Sequence, residues 1–165
     1  MRNIQATEWC RNFIRAQVKA GDLCVDATAG NGHDTELLCR LAGEKGRVLA
    51  FDIQEEALRR TEQRLRKAGL GANVRLIHDS HASMEKYAEA RSVSCIVFNF
   101  GYLPGGDHRL GTRPESSAAA VRAGLRLLRP GGILSLCIYS GGDTGYAERD
   151  ALLSLLRELD EREYL

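Results

Sequence analysis

Three acidic residues, Asp26, Asp52 and Asp79, each close a short apolar run, and their spacing suits a nucleotide-like ligand. Asp26 is followed by Ala27-Thr28-Ala29-Gly30-Asn31-Gly32. Glycines at 30 and 32 let the backbone turn sharply and approach a ligand with no Cβ in the way. A helix starting just beyond them aims its N–H groups at that ligand. A dinucleotide fingerprint needs a third glycine at position 35, and that position is Thr35. An acid at position 26 suits a cofactor with a cationic amino-acid tail and would repel a pyrophosphate. Asp52 stands twenty residues after Gly32, where a carboxylate can accept both hydroxyls of a ribose. It can also cap the helix that follows. Asp79 and Ser80 can receive an adenine amino group. His78 and His81 are three apart on an extended segment and face opposite ways. With no third ligand in view, no metal is expected.

These residues need elements to hold them, and the sequence supplies alternating ones. Residues from about 7 to 20 read as an amphipathic helix with Trp9, Phe13 and Val18 among its apolar positions, stopped by Gly21-Asp22. Leu23 to Thr28 is a first strand, Asp34 to Leu41 a helix, Arg47 to Ile53 a second strand and Glu55 to Ala68 a charged helix. Val74 to Ile77 and Cys95 to Phe100 are the third and fourth strands, the latter nearly all apolar. A Gly/Pro-rich loop from Gly101 to Gly111 precedes a helix from Pro114 to Leu128. Arg129-Pro130-Gly131-Gly132 then turns the chain into a fifth strand, Ile133 to Tyr139, before a last helix from Tyr146 to Leu159. Apolar strands alternating with helices predict a parallel sheet covered on both faces. Ligands of such sheets bind beyond the carboxyl ends of the strands, where the unusual residues cluster.

The chain has 165 residues, enough for one domain spanning 1–165 with its N-terminal helix included. No apolar run approaches the length of a membrane span. The N-terminus has no apolar core of a secretory signal, so the cytoplasm is the expected location. Five cysteines, odd in number and never spaced C-x-x-C, read as free thiols. A net charge of +1 argues against holding nucleic acid by bulk electrostatics, though a local patch can still meet a structured RNA. Arg11, Arg15 and Lys19 share one helical face, as do Arg122, Arg126 and Arg129, and each stripe reads as a solvated face.

The D-x-T-x-G-x-G spacing from Asp26 to Gly32 resembles the first motif of class I methyltransferases, with Thr28 in the place of the first glycine. The resemblance implies S-adenosylmethionine (SAM) as cofactor. Contacts to it are expected from Asp26, Thr28, Gly30, Asn31, Gly32, Asp34 and Thr35 around the first loop. Asp52, Ile53 and Gln54 would contribute after the second strand, Asp79, Ser80 and His81 after the third, and Asn99 and Gly101 after the fourth. Asn99-Phe100-Gly101-Tyr102 resembles the N-P-P-Y element of methyltransferases acting on amino groups of nucleobases. An attacking nitrogen must be held in line with the bond that breaks and must shed a proton. Asn99 Oδ1 and a nearby carbonyl can accept the amine's hydrogens, which is catalysis by positioning. Tyr102 shares this element, and Asp107 is the carboxylate nearest the loop, a candidate base or ammonium anchor as well as an ordinary loop acid.

Taken together, D-A-T-A-G-N-G-H-D-T, F-D-I-Q, H-D-S-H and N-F-G-Y-L-P-G-G-D-H are similar, in this order, to the YtqB-like rRNA methylase family. That family includes tRNA methyltransferases of the MnmM type. The likeness implies a Rossmann-like α/β fold and methylation of the exocyclic amine of 5-aminomethyl(-2-thio)uridine at the wobble position, with the anticodon region of tRNA as partner and no membrane. It leaves a homodimer open. Other readings are methylation of an rRNA base or a small amine, a non-catalytic SAM- or RNA-binding domain, and an NAD-linked oxidoreductase. Two departures stand out. The family's Tyr-x-Gly-His-x-Gly-Gly stretch here has Gly142 in place of the histidine, so no substrate role for that histidine carries over. Relatives also continue into two further strands, so the expected sheet is mainly parallel and lacks the closing antiparallel pair.

Overall fold

The computed structural model describes residues 6–101, 112–139 and 142–164. Five strands, β1 (Leu23–Asp26), β2 (Arg47–Asp52), β3 (Val74–His78), β4 (Val93–Phe100) and β5 (Leu128–Ile138), form one sheet in the order β3-β2-β1-β4-β5. Every pairing is parallel. The helices are α1 (Ala6–Gln17), α2 (His33–Ala42), α3 (Glu55–Lys67), α4 (Pro114–Leu127) and α5 (Gly142–Arg157). The strand order reverses direction between β1 and β4, which opens a crevice at the carboxyl ends of those two strands.

Side-chain alternation along the strands explains the two layers. Val25, Ile96, Phe98 and Phe100 point to one face and pack with Val121 and Leu127 of α4, Leu152 and Leu155 of α5, and Met84. Cys24, Val48, Cys95 and Val97 point to the other, against Ile14 of α1, Leu38 and Cys39 of α2 and Leu65 of α3. Burial on both faces favours apolar residues along a strand, which is why β4 reads as a nearly continuous apolar run broken at Ser94 and Asn99. All five cysteines are free. Burial pushes the Cys24 thiol up to about 12 and the Cys39 thiol to about 11, so both stay protonated at neutral pH.

Several expectations need correction. Trp9 and Phe13, expected on the apolar side of α1, are 56% and 59% exposed, and Ile14 is the residue of this helix that enters the core. Residues 129–132 do not precede β5 but bulge out of it. Leu128 pairs with Val93 and the next partners are Ile133 and Cys95, with Gly131 at φ +72°. Helix α5 begins four residues earlier than expected, and a 3₁₀ turn at His81–Lys86 follows β3.

Candidate active site

The loop after β1 carries the densest chemistry. Gly30 and Gly32 have φ of +55° and +78°, the left-handed region that favours glycine. At Gly32 a Cβ would lie 2.9 Å from the Thr61 Cα, so α3 also packs too closely there for any side chain. Helix α3 braces the loop from outside: Arg64 Nε donates to Asn31 O at 2.7 Å, and Thr61 Oγ1 to Gly30 O at 3.3 Å. A groove of about 580 Å³ is lined by Asn31 of the loop together with His33, Glu36 and Arg40 of α2 and Arg60 and Arg64 of α3, among others.

Asp26 supports the loop from beneath. It is fully buried, accepts Thr28 N at 3.1 Å and Thr35 Oγ1 at 2.6 Å, and burial, then the charge of Asp34, push its carboxyl up to about 7. Asp52 ties the loop to β2, with Oδ2 accepting Gly30 N at 3.0 Å and Oδ1 accepting Gln54 N at 2.9 Å. It does not cap α3, whose first turn follows Gln54 with no side-chain cap. A carboxylate offers about four lone pairs, so backbone donors from Gln54, Gly30 and Ile53 still leave part of that capacity for a ribose. Burial raises the Asp52 pKa above the usual carboxylate value, and the backbone donors of Gln54 and Gly30 oppose it.

At the end of β3, Asp79 accepts Ser80 N at 2.7 Å and Tyr87 Oη at 2.9 Å, and these bonds hold its carboxyl below the usual range. Ser80 Oγ caps the 3₁₀ turn through Ala82 N. The two histidines separate, but not by alternation along one strand: β3 ends at His78, and His81 opens the 3₁₀ turn. His78 Nε2 meets Ile53 O at 3.0 Å on the surface, while His81 is buried, with Nδ1 3.2 Å from Ala27 O and its ring edge-on to Phe98 and Phe100. Burial lowers the His81 pKa and favours the neutral ring.

Asn99, at the end of β4, joins the crevice to the loop. Its backbone N donates to Thr28 Oγ1 at 2.8 Å, and its Nδ2 donates to Asp34 Oδ2 at 2.8 Å. The other oxygen of Asp34 accepts Arg11 Nε at 2.7 Å. Arg11 therefore does not belong to a solvated stripe; it turns inward and ion-pairs with a carboxylate that is almost buried. Arg126 and Arg129 pair with Glu85 and Asp22. Sequence reasoning missed Arg11 because helical periodicity identifies a face but not the neighbour across from it. Gly101 and Thr112 lie side by side, with Gly101 N donating to Thr112 Oγ1 and both Thr112 N and Thr112 Oγ1 donating to Gly101 O, and a Cβ on Gly101 would sit 3.7 Å from the Tyr139 ring. Tyr102 and Asp107 lie outside the described residues. Of the fifteen cofactor-binding candidates, the structure gathers Thr28, Gly30, Asn31, Asp34, Asp52 and Asn99 around one loop and one strand end.

Comparison with known proteins matches this architecture. Residues 48–165 match the family model described as "Putative rRNA methylase". A crystal structure of a "putative rRNA-methylase" from Clostridium thermocellum is 42% identical, with a TM-score of 0.94 over 98% of this chain and 87% of that one. A "putative methyltransferase" from Streptococcus mutans, crystallised in complex with SAH, is 34% identical, with a TM-score of 0.86 over 96% of this chain and 85% of that one. The chloroplastic tRNA (mnm(5)s(2)U34)-methyltransferase of Arabidopsis thaliana is 34% identical over 90% of this chain, which spans 57% of that protein's length. No helix among the described residues is long and apolar enough to cross a membrane. By the match over most of its length, the parallel five-strand sheet and the glycine loop before α2, the chain belongs to the putative rRNA methylase family of class I SAM-dependent methyltransferases.

Proposed function

We propose that this protein transfers a methyl group from SAM to the exocyclic amine of 5-aminomethyl(-2-thio)uridine at the wobble position of tRNA, giving the 5-methylaminomethyl form. The observation that carries this reading is Asn99. It sits at the carboxyl end of β4 beside the glycine loop, its Nδ2 is engaged by Asp34, and its Oδ1 has no partner among the described residues. An oxygen so placed can accept a hydrogen of a primary amine and aim the nitrogen lone pair. The likeness to the Arabidopsis tRNA methyltransferase supports the choice of substrate.

SAM supplies a sulfonium methyl, and the residues present suit it. Glycines 30 and 32 open the loop, and Asp52 offers lone pairs at the end of β2 for ribose hydroxyls. Asp26, Thr28, Asn31, Thr35, Ile53, Gln54, Asp79, Ser80, His81 and Gly101 complete the proposed cofactor site, some by contact and some, such as the buried Asp26, by holding the loop. Asp34, whose two oxygens are taken by Asn99 and Arg11, supports that site without touching the cofactor. The amine must arrive neutral, because an ammonium has no lone pair. We assign Asp107 as base or ammonium anchor and count Tyr102, with Asn99, among the catalytic residues.

The test is mass spectrometry of nucleosides from tRNA incubated with the protein and SAM. The expected product is the 5-aminomethyl(-2-thio)uridine nucleoside heavier by one methylene. Methylation confined to an rRNA base or a free small amine, or none at all, would refute the proposal.

A further inference from the structure

We propose that Asp34, held in place by Arg11 of α1, is a positioning residue that fixes the polarity of the Asn99 side chain, so that its carbonyl oxygen rather than its NH₂ faces the acceptor amine. This rests on the reading of Asn99 given above.

The two ends of a primary amide have nearly the same shape and opposite polarity. An asparagine at a strand end can therefore present an acceptor or, turned over, a donor. A donor there would repel the hydrogens of the amine and turn its lone pair away from the methyl group. Asn99 needs something that tells its ends apart, and a carboxylate does this because an ionised carboxylate only accepts. Asp34 Oδ2 lies 2.8 Å from Nδ2, so the amide cannot turn over without setting Oδ1 against a carboxylate oxygen.

Asp34 is itself fixed. It is 8% exposed, and its remaining oxygen takes Arg11 Nε at 2.7 Å. Charge-assisted hydrogen bonds of this kind are short and strong, and burial limits their screening by solvent. Thr28 Oγ1 holds the Asn99 backbone from the other side. Three elements, α1, α2 and β4, thus converge on one side chain, and α1 acquires a role in the site that its helical stripe did not suggest.

The test uses the isosteric exchange of the pair. In Asp34→Asn, the new Oδ1 is drawn to Arg11 and the new NH₂ faces Asn99, which must turn over to accept it. Single-turnover methyl transfer at saturating SAM, on tRNA bearing 5-aminomethyl-2-thiouridine, should fall roughly 10²-fold, the usual cost of a reactant misplaced by about 1 Å. SAM affinity should stay within about twofold by calorimetry. Asn99→Asp alone opposes two carboxylates and should also be slow. The exchange variant, Asp34→Asn with Asn99→Asp, restores donor to acceptor at both contacts, and its rate should recover to within about tenfold of the native protein, a non-additivity expected of directly coupled groups.

A second readout needs neither cofactor nor substrate. The Asn99 side-chain NH₂ signals, identified by their loss in Asn99→Ala, should be shifted and slow to exchange in the native protein. They should move to ordinary positions in Arg11→Ala and in Asp34→Asn. A normal transfer rate in Asp34→Asn, an exchange variant no faster than either single variant, or native NH₂ signals in Asp34→Asn would overturn the proposal. So would a loss of SAM affinity that accounts for the lost rate, since Asp34 would then be a cofactor contact. If Asn99→Ala itself transfers methyl at the native rate, the reading of Asn99 fails as well, and that result stands apart from anything measured at Asp34.

Discussion

Asp52 and Asp26 are both carboxylates at strand ends, yet their surroundings assign them different work. Asp52 keeps acceptor capacity beside the loop, with backbone donors from Gln54, Gly30 and Ile53 taking up the rest. Charge-assisted hydrogen bonds contribute roughly 1.5–3 kcal/mol each, so Asp52→Ala should weaken SAM binding about tenfold or more. Unchanged affinity by calorimetry would remove it from the ribose site. Asp26 is sealed beneath the same loop, and its carboxyl is pushed up to about 7. The native state then holds a proton more tightly than the unfolded chain, whose aspartates titrate near ~3.9. The stability this confers is complete below the unfolded value and is lost as pH rises through the native one. The unfolding free energy of the native protein minus that of Asp26→Asn should therefore fall between about pH 4 and about pH 7, by an amount on the order of a few kcal/mol. Urea unfolding of both proteins across that range measures it, and a constant difference would show that Asp26 is ionised throughout.

At the scale of elements, the glycine loop shows what a sequence can and cannot disclose. Alternating apolar runs and breakers gave the strands and helices of a parallel sheet, because burial on both faces favours apolar residues along a strand. The loop residues were legible for a related reason: Gly30 and Gly32 occur where the backbone takes positive φ. Less of the bracing was visible. Thr61 and Arg64 hold the loop from α3, and Arg11 reaches Asp34 from α1, contacts between elements far apart in the chain. Periodicity says which side of a helix faces inward, not what it meets. It also misassigned Trp9 and Phe13, whose apolar side chains remain exposed. The four-residue bulge in β5 was read as a turn before the strand, since Pro130-Gly131-Gly132 signals a break without saying that pairing resumes on the same partner. From the close packing at Gly32 comes an element-scale prediction. Gly32→Ala places a Cβ 2.9 Å from the Thr61 backbone at φ +78°, so α3 must shift from the loop. A loss of about 1–3 kcal/mol, the range for overpacking a tight site, should appear as a lower urea midpoint, together with weaker SAM binding. A fully stable Gly32→Ala protein would mean that the loop and α3 separate freely.

Across the whole molecule, the loop after β1 is a hub that ties segments far apart in the chain to one another. Asp52 links it to β2, Arg64 and Thr61 to α3, Thr28 to β4, and Asp26 anchors it to β1. A ligand seated there contacts segments that separate only when the sheet comes apart, so it should stabilise the domain as a unit. Binding to the native state alone adds about 2.7 kcal/mol at a hundredfold excess over Kd. For a domain of 165 residues, where each kcal/mol moves Tm by about 2–4 °C, that corresponds to a rise of roughly 5–11 °C. SAM and its demethylated product SAH share the adenosine and amino-acid groups and should both give such a shift in a single cooperative transition. NAD should give none, because position 35, where a dinucleotide loop needs a third glycine for close approach of its helix, is the buried Thr35. Asp52→Ala, measured in parallel, should need about ten times more SAM to reach the same shift, in keeping with the loss of charge-assisted bonds to the ribose. Thermal unfolding with each ligand over a concentration series decides the matter. A shift with NAD and none with SAM would overturn the cofactor assignment, and two separated transitions with SAM would show that the cofactor steadies the loop without the sheet.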